Sequence, residues 1–195
     1  MPANLTWEIF LHVRIIMGVV IGLSIARLLN GASRFVQHPT ALKISWIHLC
    51  WVAIMLMSLV HFWWWEFWLS AIKHWTVEIY LVLFGYTLVL YLLCTLLFPD
   101  DIKEYSGYEE YFISRRRWFF GLLALTFIFD LADTVVKGPG HIDLFGLEYF
   151  IRTAAYFVLC GVAMITPNRR FHALFAIGAL IYQTSWIVRH FETLN

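Results

Sequence analysis

Six long apolar stretches constrain this chain more than any other feature. They fall near residues 8–31, 45–69, 75–97, 117–137, 144–166 and 171–190. Each approaches the roughly 20 residues that a helix needs to cross about 30 Å of hydrocarbon. A backbone in lipid must satisfy its own hydrogen bonds, so these stretches are predicted to be helices. We therefore expect an all-α, polytopic integral membrane protein, in which residues 1–195 form one domain, a single bundle of about six transmembrane helices.

The composition agrees with lipid as the main solvent and excludes some functions. Hydrophobic residues make up 61% of the chain and charged residues 14%, whereas a soluble domain carries roughly 25% charge. A net charge of +1 gives no basic surface for nucleic acid. The sequence contains no HExxH motif, histidine box or nucleophile elbow. We therefore predict no catalytic residues and favour a protein that is not an enzyme.

Lysine and arginine lie mainly on one side of the predicted membrane. The first, third and fifth loops and their flanks contain Arg34, Lys43, Lys103, Arg115, Arg116, Arg117, Arg169 and Arg170. The opposite side holds only Lys73, Lys137 and Arg189, near helix ends. Basic loops usually stay in the cytoplasm. The pattern predicts a bacterial inner (plasma) membrane protein with both termini outside.

The one substantial loop, between the third and fourth stretches, carries its own pattern. Apolar residues recur there every three or four positions, which predicts an interfacial helix within residues 100–114. Arg115, Arg116 and Arg117 follow directly. We predict that they bind anionic lipid headgroups; the alternative is that they only set the topology.

Several polar residues lie at a similar predicted depth within the spans. With a helix rise of 1.5 Å per residue, five of them lie about 9–12 Å from the outer end, and two lie nearer the surface. The first group is Arg14, His61, Asp130, Arg152 and Gln183, and the second is Glu78 and Asp133. Charged residues inside spans usually face the bundle interior. We predict that these seven residues form a layer that binds a small ion or polar solute.

The fourth stretch contributes most to this layer. Asp130 and Asp133 are three residues apart and share one helix face, which Lys137 continues. Asp130 and Arg14 lie at a similar depth, and we expect them to form an ion pair. Two interpretations stay open: an ion-pair network that only locks helices together, or a water-filled cavity open to the outside.

The cavity interpretation predicts a membrane transport or channel-like protein. The carboxylates of Asp130, Asp133 and Glu78 would accept a cation or protons in the outer half of the bilayer. His61 would relay protons, since an imidazole in water changes its charge near neutral pH.

Two other classes of function remain. No cofactor is predicted, but His48 and His61 are 13 residues apart on one helix, a spacing typical of stacked haems. A haem- or metal-binding membrane redox protein is therefore the first alternative. A scaffold, or a subunit of a larger complex, is the second.

Small residues support close helix contacts in the first stretch. Gly18, Gly22 and Ala26 are spaced by four residues, which lets another helix approach, either within the chain or in a second copy as a homo-oligomer. Arg14 precedes Gly18 by four residues, as Arg117 precedes Gly121. This match is the basis for a weak 3+3 inverted repeat.

Overall fold

The structure, a computed structural model, describes residues 3–38 and 43–190, except for the side chains of residues 3, 4, 139 and 141–144. This part of the chain is all-helical and contains no strand. Its helices are α1 (Ala3–Gln37), α2 (Trp46–Trp65), α3 (Val77–Leu97), α4 (Tyr108–Lys137), α5 (Pro139–Ile165) and α6 (Arg169–His190), and a short 3₁₀ helix, Glu66–Ala71, follows α2. All six are long and apolar enough to cross a membrane. The predicted all-helical fold with six candidate spans is confirmed, and insertion into a membrane stays a prediction.

The helix starts are set by local sequence. Ser45 caps α2 by accepting a hydrogen bond from the backbone N–H of His48 at 3.4 Å. Thr76 caps α3 in the same way. Such side-chain oxygens satisfy backbone donors that the first turn of a helix leaves unpaired. α5 follows Gly138 and begins at Pro139, a position where the missing N–H of proline costs no hydrogen bond.

The loop before α4 differs from the prediction. Residues 100–114 do not form a separate interfacial helix, because α4 starts at Tyr108 and continues without a break for 30 residues. No proline or glycine interrupts residues 108–120, so the apolar periodicity of the loop runs in phase into the apolar stretch that follows. The backbone N–H of Ser106 donates to the Glu110 carboxylate at 2.8 Å, which closes the turn before the helix.

The helices pack in an order that positions the candidate site. α3 lies between α1 and α4, α4 packs closely on α5, and α2 contacts α1, α3 and α6. The centre is aromatic: Trp51 is fully buried, and its ring meets those of Phe119, Phe120 and Phe175 at 5.2–5.4 Å. Large apolar side chains are also exposed on the outward faces of all six helices.

The glycines of α1 have different surroundings. A Cβ added at Gly18 would lie 2.9 Å from the Trp63 ring, so Gly18 permits close packing of α1 on α2. A Cβ at Gly22 would meet nothing within 4 Å. Of these small residues, Gly18 therefore contributes to helix packing within the chain. The homo-oligomer stays a prediction.

Candidate functional site

A polar cavity of about 120 Å³ lies among α2, α3, α4, α5 and α6, near the C-terminal end of α4. Several water molecules fit in this volume. Its charged, imidazole and amide lining residues are His61, Glu66, Asp130, Asp133, Lys137, Arg152 and Gln183. Tyrosine and tryptophan rings complete the wall, so the polar groups face one another inside an otherwise apolar shell.

Lys137 is the centre of a buried ion triad. Its Nζ donates to Glu66 Oε1 at 2.9 Å and to Asp133 Oδ2 at 2.5 Å. The three side chains are only 2%, 0% and 7% exposed, respectively. Asp133 and Lys137 are four residues apart on α4, whereas the 3₁₀ helix brings in Glu66. The second oxygen of each carboxylate, Glu66 Oε2 and Asp133 Oδ1, is buried without a hydrogen-bond partner.

Arg152 and Asp130 form a second ion pair in the same cavity. Arg152 Nη2 donates to Asp130 Oδ2 at 2.8 Å. The guanidinium also lies over the Trp186 ring, 4.5 Å from its centroid, and near the Tyr149 ring at 5.0 Å. These ring faces attract a cation and fix the arginine. The Asp130 side chain is 29% exposed, more than any member of the triad, so it is the accessible carboxylate of the site.

The charges of the cavity do not balance. Three carboxylates, from Glu66, Asp130 and Asp133, face two basic groups, from Lys137 and Arg152. With every group ionised and His61 neutral, one negative charge is in excess. Charges interact more strongly in a protein interior than in water, so this excess favours a bound proton or a small cation.

His61 lies in this cavity with a free imidazole. Its ring packs edge-on against Trp65 at 5.6 Å. Its ring nitrogens form no hydrogen bond within the described part of the chain. The ring nitrogens are therefore available to form a hydrogen bond with whatever enters the cavity.

The structure brings together five of the seven residues that the depth argument selected. His61, Asp130, Asp133, Arg152 and Gln183 all line the cavity. The other two, Arg14 and Glu78, do not line it.

The expected ion pair between Arg14 and Asp130 is wrong. Asp130 bonds to Arg152 instead, because α3 packs between α1 and α4. The Arg14 guanidinium lies over the rings of Trp63 at 4.8 Å and Phe67 at 4.9 Å. Glu78 is exposed in the first turn of α3, outside the cavity.

Two residues of the cavity are not among the seven that the depth argument selects. Glu66 and Lys137 both occupy helix ends, where a charged residue ordinarily reaches water. The 3₁₀ turn after α2 folds Glu66 inward, and sequence periodicity does not reveal such a turn. For Lys137 a signal existed, because its spacing of four from Asp133 predicts an ion pair on one helix face.

His48 lies outside the cavity. Its Nε2 is 2.6 Å from the Leu97 carbonyl oxygen, and its buried ring packs against Phe98 and Tyr108 at 4.9 and 4.8 Å. This geometry favours a role in fixing α2 to the end of α3. A haem held by His48 and His61 stays a prediction.

The three consecutive arginines also differ from one another. Arg116 donates hydrogen bonds to the carbonyl oxygens of Ile113, one turn earlier on α4, at 2.9 Å and of Ile165, at the end of α5, at 3.5 Å. Its guanidinium is therefore bonded within the chain. Arg115 bonds to the Tyr105 hydroxyl at 2.9 Å and is exposed, as is Arg117. Arg115 and Arg117 thus remain available to a headgroup, and lipid binding stays a prediction.

Comparison with family models, curated proteins and solved structures gives no match to this chain. The chemistry of the cavity is therefore the basis for assigning a function.

Proposed function

We propose that this protein moves a proton or another small monovalent cation across a membrane through the polar cavity. The observation that carries the proposal is the unbalanced set of three carboxylates and two basic groups inside helices of membrane-spanning length. A charge buried in such a span is expensive, and its usual setting is an ion pathway. One bound monovalent cation neutralises the site.

The two ion clusters have different roles in this proposal. The triad around Lys137 is almost fully buried and holds the 3₁₀ helix against α4. Asp130 is more exposed and binds the cation, while Arg152 positions its carboxylate. His61 takes up and releases a proton at the cavity wall. The exchange at Asp130 is then a competition between Arg152 and the entering cation.

The proposed setting is the outer half of a bacterial inner membrane. The cavity lies near the C-terminal end of α4, whereas Arg115 and Arg117 lie in the N-terminal part of α4 and Arg169 begins α6. The positive-inside rule places those arginines in the cytoplasm, with both termini outside. The inverted repeat is not needed here: α1 packs closely on α3, whereas α4 and α6 are not closely packed in the described chain.

Transport through the cavity is testable in proteoliposomes. Purified protein is reconstituted, a potassium diffusion potential is imposed with valinomycin, and internal pH and sodium are followed with separate indicators. We expect uptake of one of the two cations, and loss of at least nine-tenths of the rate in Asp130→Asn. Glu78→Gln is the matched control, because it removes an exposed carboxylate outside the cavity, and it should keep the full rate.

A purely structural role is the second candidate, and the burial of the triad favours it. It predicts no flux in the wild-type protein, or equal flux in folded Asp130→Asn. Asp130→Glu keeps the negative charge and should restore part of the rate if Asp130 binds the cation. The unfolding midpoint of each variant separates a lost site from a lost fold.

A further inference from the structure

A second, apolar groove of about 470 Å³ runs between α5 and α6. Its apolar lining includes Ile151, Ala155, Leu159, Phe171, Leu174 and Phe175. Ile151 and Leu174 are 61% and 73% exposed, so the groove opens on the outer face of the helices. A hydrocarbon chain from the surrounding lipid can enter it from the side.

The charged groups at the polar end of the groove are already paired. Glu148 accepts from Arg189 Nη1 and Nη2 at 2.7 and 2.6 Å, and from the Tyr182 hydroxyl at 3.0 Å. Arg152 is paired with Asp130. Because the charges cancel in pairs, an uncharged head group fits this end better than an anionic or cationic one.

Two hydrogen-bond donors at this end lack acceptors. Arg152 Nε is buried and has no hydrogen-bond partner, on a side chain that is only 11% exposed. The Tyr156 hydroxyl makes no hydrogen bond within the described part of the chain. Both residues line the groove and the polar cavity. A ligand with carbonyl oxygens would satisfy the Tyr156 hydroxyl directly, and Arg152 Nε once the guanidinium turns toward the groove.

The depth of these donors separates two sources of carbonyl groups. The backbone of α5 is not helical at Gly146 (φ 61°, ψ −159°), and the helix beyond it puts Arg152 about 9 Å and Tyr156 about 15 Å along its axis from Gly146. The hydrocarbon core is about 30 Å thick, so Tyr156 would lie near its middle. Phospholipid ester groups stay at the boundary of that core, whereas the ring of an isoprenoid quinone is itself soluble in hydrocarbon. The Phe127 ring stacks on Tyr156 at 4.6 Å from the side of the polar cavity and holds the tyrosine ring in place.

We propose that the groove between α5 and α6 binds an isoprenoid quinone. Its chain lies along the apolar lining, and its ring carbonyls accept hydrogen bonds from the Tyr156 hydroxyl and Arg152 Nε–H. The proposal concerns binding alone and does not rest on cation transport. Failure of one leaves the other standing, because quinone binding and ion flux are measured separately.

The test uses the full chain in phospholipid nanodiscs and decylubiquinone as the probe, with calorimetric titration as the readout. Gly178→Leu fills the groove, since a Cβ at Gly178 meets nothing within 4 Å. We expect the dissociation constant of decylubiquinone from this variant to be at least ten times that of the wild-type protein. Gly161→Leu is the matched control: this α5 glycine has the same open space but does not line the groove, and binding should be unchanged. Tyr156→Phe removes one neutral hydrogen bond and should weaken binding about threefold to tenfold.

Three results would overturn the proposal. The first is no saturable binding of decylubiquinone by the wild-type protein. The second is equal weakening by Gly178→Leu and Gly161→Leu, which would place the probe elsewhere. The third is equal competition by palmitate or diacylglycerol, which would mean that the groove selects hydrocarbon chains and not a quinone ring.

Discussion

Replacing Lys137 by methionine is the sharpest test of the buried triad. The substitution keeps a chain of similar length and removes the ammonium group between Glu66 and Asp133. Those carboxylates lie 2.9 and 2.5 Å from Nζ, and the three side chains are almost inaccessible to water. Removing one partner of a buried ion pair costs about 3–5 kcal/mol. Because two carboxylates lose their partner here, we expect the upper part of that range.

The free energy of unfolding is measured by reversible denaturation in mixed micelles. Lys103→Met is the matched control: Lys103 pairs with Asp101 at 3.2 Å, but both side chains are largely exposed, and such pairs contribute little. The triple variant Glu66→Gln, Asp133→Asn, Lys137→Met leaves no lone charge and should be more stable than Lys137→Met alone. Equal stability of Lys137→Met and Lys103→Met would refute the reasoning.

Three further expectations follow from the geometry. Arg14→Leu should lower the free energy of unfolding by about 0.5–2 kcal/mol, since its guanidinium lies over the Trp63 ring at 4.8 Å; no change would mean that the ring contact is not stabilising. Gly18→Leu should lower the unfolding midpoint by pushing against Trp63, whereas Gly22→Leu, with open space, should not; equal midpoints would refute the close packing at Gly18. In a variant without native cysteines, Ser106→Cys should resist a membrane-impermeant thiol reagent in intact cells, and rapid labelling there would reverse the proposed orientation.

The sequence predicts the helices well because the membrane restricts the choice of structure. Apolar stretches of spanning length can only be helices in lipid, and prolines fall between them. The ends of the helices are less predictable: hydropathy gives residues 8–31 as the first apolar stretch, but α1 covers Ala3–Gln37. Polar residues can extend a helix beyond the apolar part, so hydropathy marks the span and not the helix.

The sequence predicts how deep the site residues lie in the span, but not which helices bring them together. Counting residues along a helix gives the level of a side chain, and His61, Asp130 and Arg152, which this count selects, all line the cavity. Which helices are neighbours depends on packing between distant segments. For that reason the sequence predicts the wrong partner for Arg14, whose guanidinium lies over the Trp63 ring, while Asp130 pairs with Arg152. Glu66 was missed because a 3₁₀ turn, and not a repeating pattern, directs it inward.

The central claim is that a water-accessible polar cavity lies inside the span, and chemical labelling of Ser58 tests it most directly. Ser58 lines the cavity, whereas Val60, two residues along α2, points outward and is 59% exposed. Cysteine is placed at each position in a protein without Cys50, Cys94 and Cys160, and the reaction with a small cationic thiosulfonate is timed in proteoliposomes. We expect Ser58→Cys to react at least tenfold faster than Val60→Cys. Equal rates, or no reaction at Ser58→Cys, would contradict a hydrated cavity and the function proposed for it.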